Sequence, residues 1–235
     1  MSLVFEAMTR RSIGSPMRRA VAFSRSIKDS KQTTEVFSQL VGLYNKKHLG
    51  EETPMVQCEL DHVDGGMNAL VRQNKLDWLK AEPGEGACRV LSNARCLSEG
   101  IDVPALDAVA FFDTRESIVD IVQSVGRVMR KADGKRYGYI VLPVCIPSSK
   151  VAKYNDYIES DAQFKGIWRV IKALRAHDES LVDEAEFRRK ITVIGGGKGS
   201  GGSSGGGSGG GDDLPLDFPE MPLDQVAQAV YAAIP

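Results

Sequence analysis

Between Arg19 and Pro143 the chain alternates short apolar runs with segments whose apolar residues recur at helical spacing, and few folds accommodate that alternation. Residues 19–24 read as a buried strand ending in a polar turn. Residues 31–47 carry Val36, Phe37, Leu40, Val41 and Tyr44 at helical spacing. Pro54 precedes a strand-like run at 55–60, and Asp64-Gly65-Gly66 spell a turn. Residues 67–81 read as a helix with Leu70, Val71, Trp78 and Leu79 as core residues, broken by Pro83-Gly84-Glu85-Gly86. Further strands are expected at 88–92, 106–112 and 137–143, with a helix at 117–130 before the last. The expected fold class is α/β, a mainly parallel sheet covered by helices on both faces. Right-handed crossovers would gather the loops that follow the strands along one edge.

The organisation follows from where this pattern stops. Residues 1–147 form the expected sheet domain, and 148–194 read as a helical extension, with helices at 148–157 and 161–176 and a charged piece at 179–189. Residues 195–211 contain 12 glycines, four serines and one lysine, a composition too costly to order and therefore a flexible linker. The stretch is no phosphate loop, because Lys198 is followed by Gly199 and no helix start follows. In the tail, 212–235, Pro215, Pro219 and Pro222 enforce extended chain before Leu223, Val226, Ala227, Val230, Tyr231 and Ile234 line one side of a short helix.

With 42% hydrophobic residues the chain has material for a full core. Residues 195–235 set one lysine against five carboxylates, a net of −4, which leaves the first 194 residues at +3 against a whole-chain charge of −1. A mildly basic body permits nucleic-acid contact without demanding it. No apolar run is long enough for a membrane span and the first residues show no secretion signal, so a cytoplasmic location without a membrane partner is expected. Cys58, Cys88, Cys96 and Cys145 form no CxxC pair and only three histidines are present, so reduced buried thiols are expected and no metal site.

The chemistry concentrates between Arg89 and Arg130. In 117–130, Ile118, Val122, Val125 and Met129 fall on one helical stripe, while Gln123, Arg127 and Arg130 fall on a second at i, i+4 and i+7. A strand would send Arg127 and Arg130 to opposite faces; a helix aims both guanidiniums in roughly one direction. Gly126 removes a side chain beside them at a cost of about 1 kcal/mol in helix propensity, which suggests close approach by something else. Two guanidiniums suit phosphate oxygens, and a solvated basic face is the plainer alternative. Upstream, Gly100 and Pro104 fix the path of a loop that holds Asp102, where a carboxylate accepts from ribose hydroxyls or serves merely as a turn residue. The expected geometry puts Arg127 and Arg130 on a common ridge beside Asp102.

The sequence EGIDVP followed about 20 residues later by QSVGRVMR resembles motifs V and VI of superfamily 2 helicases and translocases. Residues 19–24 resemble their motif IV strand, and Asp64-Gly65 followed by Arg72 and Trp78 is similar to the segment leading to motif V. The resemblance covers 19–143 and implies the second RecA-like domain of a two-domain ATP motor. It implies that Arg127 and Arg130 are arginine fingers reaching the γ-phosphate and that Gln123 couples nucleotide state to domain closure. It places Gly100 and Asp102 near the nucleotide sugar and phosphates, and Ser92, Asn93 and Ala94 near the nucleic-acid backbone. Many relatives carry threonine where this chain has Ala94, so Arg95 is the alternative phosphate contact; the turn Ser24-Arg25-Ser26 is another. More narrowly, 93–109 and 119–143 look like the motor of large bacterial restriction-modification or phage-defence proteins.

No G-x-x-x-x-G-K-[ST] and no DExH or DEAD sequence occurs in the chain. The resemblance therefore implies half of a composite site, with ATP and Mg2+ held mainly by an N-terminal RecA-like domain of the same parent. Nucleic acid is the other expected partner, DNA through the narrower resemblance, with RNA left open. The competing reading is a non-catalytic nucleic-acid-binding or adaptor module derived from such a domain. A stand-alone Rossmann-type domain lacks its G-x-G-x-x-G.

Overall fold

The structure is a computed structural model that describes residues 17–47, 49, 57–84, 86–94, 106–112, 118–133, 135, 137–142, 162–176, 178–183 and 185. Its strands are β1 (Arg19–Ser24), β2 (Gln57–Asp64), β3 (Ala87–Ala94), β4 (Ala108–Phe111) and β5 (Tyr139–Val141). They form one sheet in the order β2-β3-β1-β4-β5, and every pairing is parallel. The helices are α1 (Ile27–Lys47), α2 (Ala69–Lys80), α3 (Ile118–Val128) and α4 (Ala162–Arg175). This is the expected α/β architecture, a RecA-like domain.

Strand β1 lies at the centre and is buried along its whole length. Its period of two sorts side chains by size. Ala20 and Ala22, with Ala108 and Ala110 of β4, make a shallow floor on one face, and Phe37 and Val41 of α1 fill it. Val21 and Phe23, with Val109 and Phe111, make the opposite face and meet Leu79 of α2, Ile121, Val125 and Val128 of α3, and Val170 and Ala173 of α4. Phe23 and Phe111 stack with ring centroids 5.5 Å apart. Among the described residues, one helix thus covers one face and three cover the other.

Three local expectations are corrected. Helix α1 begins at Ile27 rather than residue 31, because Ser26 caps it: its Oγ accepts from Asp29 N at 3.1 Å, and Ser30 N donates to Ser26 O at 3.0 Å. In α2, Leu79 is buried and Trp78 half-buried, but Leu70 is 71% exposed and Val71 also faces outward. Nine residues at 3.6 per turn put Leu70 about half a turn away from Leu79. In α3 the buried seam is Ile121, Val125 and Val128, turned by about a fifth of a turn from the expected stripe, and Met129 is 58% exposed. The segment expected as helix at 148–157, the linker at 195–211 and the tail at 212–235 lie outside the described residues.

Gly138, just before β5, packs against the last turn of α3. A Cβ there would lie 2.7 Å from Val128 O and 2.8 Å from Val128 Cγ1. Gly138→Ala should therefore destabilise the chain by about 1–3 kcal/mol through overpacking against backbone. Urea unfolding reads this directly; an unchanged midpoint would mean that the end of α3 yields freely.

Candidate functional site

The carboxyl ends of three strands lie level, since Ser24 of β1 and Asp64 of β2 both pair with Ala94 of β3. Four candidate residues gather at this edge. Ser24 is buried, and its Oγ has no hydrogen-bond partner among the described residues. Arg25 follows it and is exposed. Ser92 and Asn93 sit in the last turns of β3, beside Ala22 and Phe23 of β1, and both are buried. Arg95, Gly100 and Asp102 lie outside the described residues, so the expected neighbourhood of Asp102 with the arginines has no described geometry.

Ser92 belongs to a buried polar chain that sequence reasoning missed. Its Oγ lies 2.7 Å from Ser30 Oγ, which lies 2.7 Å from His62 Nδ1. His62 Nε2 lies 2.8 Å from Asp64 Oδ2, and Asp64 Oδ1 accepts from Gly66 N at 2.7 Å. The ionised carboxylate only accepts, so Nε2–H donates to it. In a neutral imidazole Nδ1 then accepts from the Ser30 hydroxyl, and Ser30 Oγ accepts from Ser92. The Ser92 hydroxyl is thereby spent inside the protein, which gives that residue a holding role at this edge. The signal was available in part: His62 and Asp64 stand two apart on β2 and so share a face. Ser30, 32 residues before His62, gave none.

The remaining described candidates lie on helix α3 and just past its end. Helix α3 leaves the carboxyl edge after β4 and runs back to the amino edge, where Lys135 Nζ reaches both Leu106 O, ahead of β4, and Val128 O. Gln123 is exposed and Arg127 half-buried, on the side of α3 away from its buried seam. Arg130 is exposed and lies two residues past the last helical residue, its N donating to Arg127 O at 3.3 Å. A Cβ on Gly126 meets no described atom within 4 Å, so the close approach expected there is not made within the described residues. The described candidates therefore divide into a group at the carboxyl edge and a group running from the middle of α3 to just past its end, the helix itself being 11 residues or about 16 Å long.

Other basic residues are committed to the scaffold. Arg18 and Arg19 pair with Glu82, holding its carboxyl below the usual value, with the Arg19 hydrogen bond the main cause. Arg89 donates to Glu59 at 2.7 Å and to the carbonyls of Trp78 and Ala81 at the end of α2. Among the described residues no group of three or more His, Cys, Asp or Glu side chains is arranged to hold a metal ion, and no helix is long and apolar enough to cross a membrane.

The His62 hydrogen bond is the main cause holding Asp64 below its ordinary value of 3.8. Its stabilising contribution is therefore complete above that value and is lost as pH falls through the lowered one. Asp64→Asn should cost about 1.5–3 kcal/mol near neutrality, the worth of a charged hydrogen bond, and the difference from the parent chain should shrink at the acid end. Urea unfolding at stepped pH checks this; a gap constant down to the lowest pH would remove the carboxylate from the account.

Comparison with known proteins gives the family of the chain. Residues 11–132 match the helicase conserved C-terminal domain. The solved DNA-bound structure of the ATP-dependent Type ISP restriction-modification enzyme LlaBIII is similar over 80% of this chain at 38% identity, with a TM-score of 0.65, and the match covers 12% of that chain. A probable helicase of African swine fever virus is 39% identical over 110 residues, 45% of this chain and 12% of the relative. Dicer-like protein 1 of Neosartorya fischeri is 26% identical over 184 residues, 71% of this chain and 11% of the relative. The chain thus spans roughly an eighth of the length of these relatives. A match that takes in β1 through β4 and the arginines of α3, over more than half of the sequence, makes this chain a member of the helicase conserved C-terminal domain family.

Proposed function

We propose that the chain is the second RecA-like domain of an ATP-dependent superfamily 2 helicase or translocase, within a cytoplasmic DNA restriction or defence enzyme. The observation that carries this reading is the outer side of α3: Gln123 and Arg127 on the helix, Arg130 just beyond it, and open space over Gly126 among the described residues. Such a surface suits a second domain that closes on it with a nucleotide between them. Arg127 and Arg130 offer permanently charged, forked donors to phosphate oxygens. Their contribution is greatest where charge develops during phosphoryl transfer. Gln123, one helical turn before Arg127, registers closure, and Gly100 and Asp102 take the nucleotide sugar and phosphates. ATP and Mg2+ would be held mainly by the partner RecA-like domain, since this chain carries neither a phosphate loop nor a DExx sequence.

The nucleic acid belongs at the carboxyl edge. Exposed Arg25 and, next after β3 in the sequence, Arg95 would contact a backbone there, while buried Ser24, Ser92 and Asn93 fix the strand ends from which the contacting loops depart. DNA is the favoured track, supported by the likeness to a restriction-modification enzyme solved bound to DNA. With phosphate contacts at one edge and nucleotide contacts at the other, opening and closing of the pair would move the track.

In the full-length protein, Arg127→Ala or Arg130→Ala should reduce kcat by about 100-fold or more with KM for ATP little changed, because the guanidiniums act in the transition state. Parallel losses of binding and turnover would speak against finger roles. The 235-residue chain alone should hydrolyse ATP no faster than a buffer blank. Gly126→Ala separates this reading from the adaptor alternative. It should stabilise the isolated chain by about 0.5–1 kcal/mol while lowering the turnover of the full-length enzyme. An adaptor would show the first effect without the second.

A further inference from the structure

We infer that Lys135 is a positioning residue for the Arg127 and Arg130 pair, acting through the backbone at the end of α3; the inference rests on the reading of those arginines given above. A helix leaves its last carbonyls without partners inside the helix. In α3 the final regular bond is Met129 N to Val125 O at 2.9 Å, and the next, Arg130 N to Arg127 O, is a tighter turn at 3.3 Å. Beyond it the chain folds back, Lys135 N donating to Ala132 O at 3.1 Å. That reversal brings the Lys135 ammonium onto Val128 O, onto Arg130 O at 3.0 Å and onto Leu106 O at 2.7 Å. An ammonium has three donors, and all three are used. A cation at a helix carboxyl end is also favoured by the helix dipole.

Two further observations make this a clasp. The chain just after Lys135 is pressed against the same turn, for Gly138 leaves no room for a Cβ between itself and Val128 O. On the other side, Leu106 begins a stretch anchored by Asp107, whose carboxylate accepts from Arg18 N and Arg19 N at 3.0 Å each. Burial lowers the Lys135 ammonium from its ordinary value, and the Asp107 charge opposes that loss. The carbonyls of Val128 and Arg130 flank Met129, so one cation fixes the backbone on both sides of the turn that carries Arg130. Leu106 lies four residues after Asp102 in the sequence, so the same cation ties the exit of the motif V segment to the end of motif VI. Without the clasp, a terminal turn with an exposed arginine would fray, and the guanidinium would have to be ordered during each catalytic cycle.

The test is a double-mutant cycle in the full-length protein, with ATP as substrate and saturating duplex DNA. Lys135→Met should lower kcat by about 10-fold or more, the scale of a finger displaced by a fraction of an ångström, and leave KM for ATP within about threefold. Combined with Arg130→Ala, it should add little to the loss from Arg130→Ala alone, because a residue that acts through Arg130 has nothing left to position. Losses that multiply in the double variant, or a kcat unchanged in Lys135→Met, overturn the inference. If Lys135→Met fails to fold, Lys135→Arg decides. It keeps the charge, but its planar fork cannot place three donors from one nitrogen on three carbonyls, so a reduced kcat is expected that again disappears against Arg130→Ala. Full activity in Lys135→Arg would overturn the clasp. Wild-type turnover in Arg130→Ala itself would instead sink the finger reading on which the inference stands.

Discussion

Strand β1 has protein on both faces and a hydrogen-bonded neighbour on both edges, and everything else is arranged around that burial. Alanines on one side and Val21 and Phe23 on the other give the sheet a thin face and a thick one. Phe37 of α1 fits the thin face closely, while the thick face takes α2, α3 and α4. Because β1 pairs in parallel with both β3 and β4, its carboxyl end fixes the level of the edge where Ser24, Ser92 and Asp64 meet. Its amino end fixes the level of Asp107, whose N donates to Arg19 O at 2.9 Å. Both groups of candidate residues are thus referenced to one six-residue strand.

The two edges are held by different physics. At the carboxyl edge the holding elements are buried and polar. Asp64, His62, Ser30 and Ser92 satisfy one another, so the start of α1 and the ends of β2 and β3 stand in a fixed relation. A half-satisfied chain of this kind would cost more than an apolar replacement, which makes each member sensitive to change. At the amino edge the holding elements are backbone carbonyls drawn to a single ammonium and a glycine that permits close approach. The first device fixes where a nucleic-acid backbone is proposed to lie, and the second fixes the turn proposed to face the nucleotide.

The sequence made some of this plain. Short apolar runs marked all five strands, and β1 was read with its observed limits because apolar residues fill it and a polar turn closes it. Strand β2 was read as ending at residue 60, four short of its observed end, with Asp64 taken into a turn; Asp61, His62 and Asp64 are strand residues whose polar groups are partnered within the fold. Leu70 was read as core because apolar character was counted without fixing the direction set by Leu79. The outward stripe of Gln123 and Arg127 survived the rotation of the α3 seam, since any seam containing Val125 leaves that side outermost.

The sequence by itself determined the fold class and the helix that carries Arg127, because both follow from periodicity, a local property of the chain; the expected helix through Arg130 ends at Val128 instead. Only the tertiary structure decided that the described candidates divide between the carboxyl edge of the sheet and helix α3, and that Ser30 and Lys135 make the hydrogen bonds that hold those two places. Ser30 meets His62 across 32 positions and Lys135 meets Leu106 across 29. Neither encounter leaves a periodic trace, because a hydroxyl bonded to an imidazole and an ammonium bonded to carbonyls depend on where the backbone returns, not on which residue stands beside which in the chain.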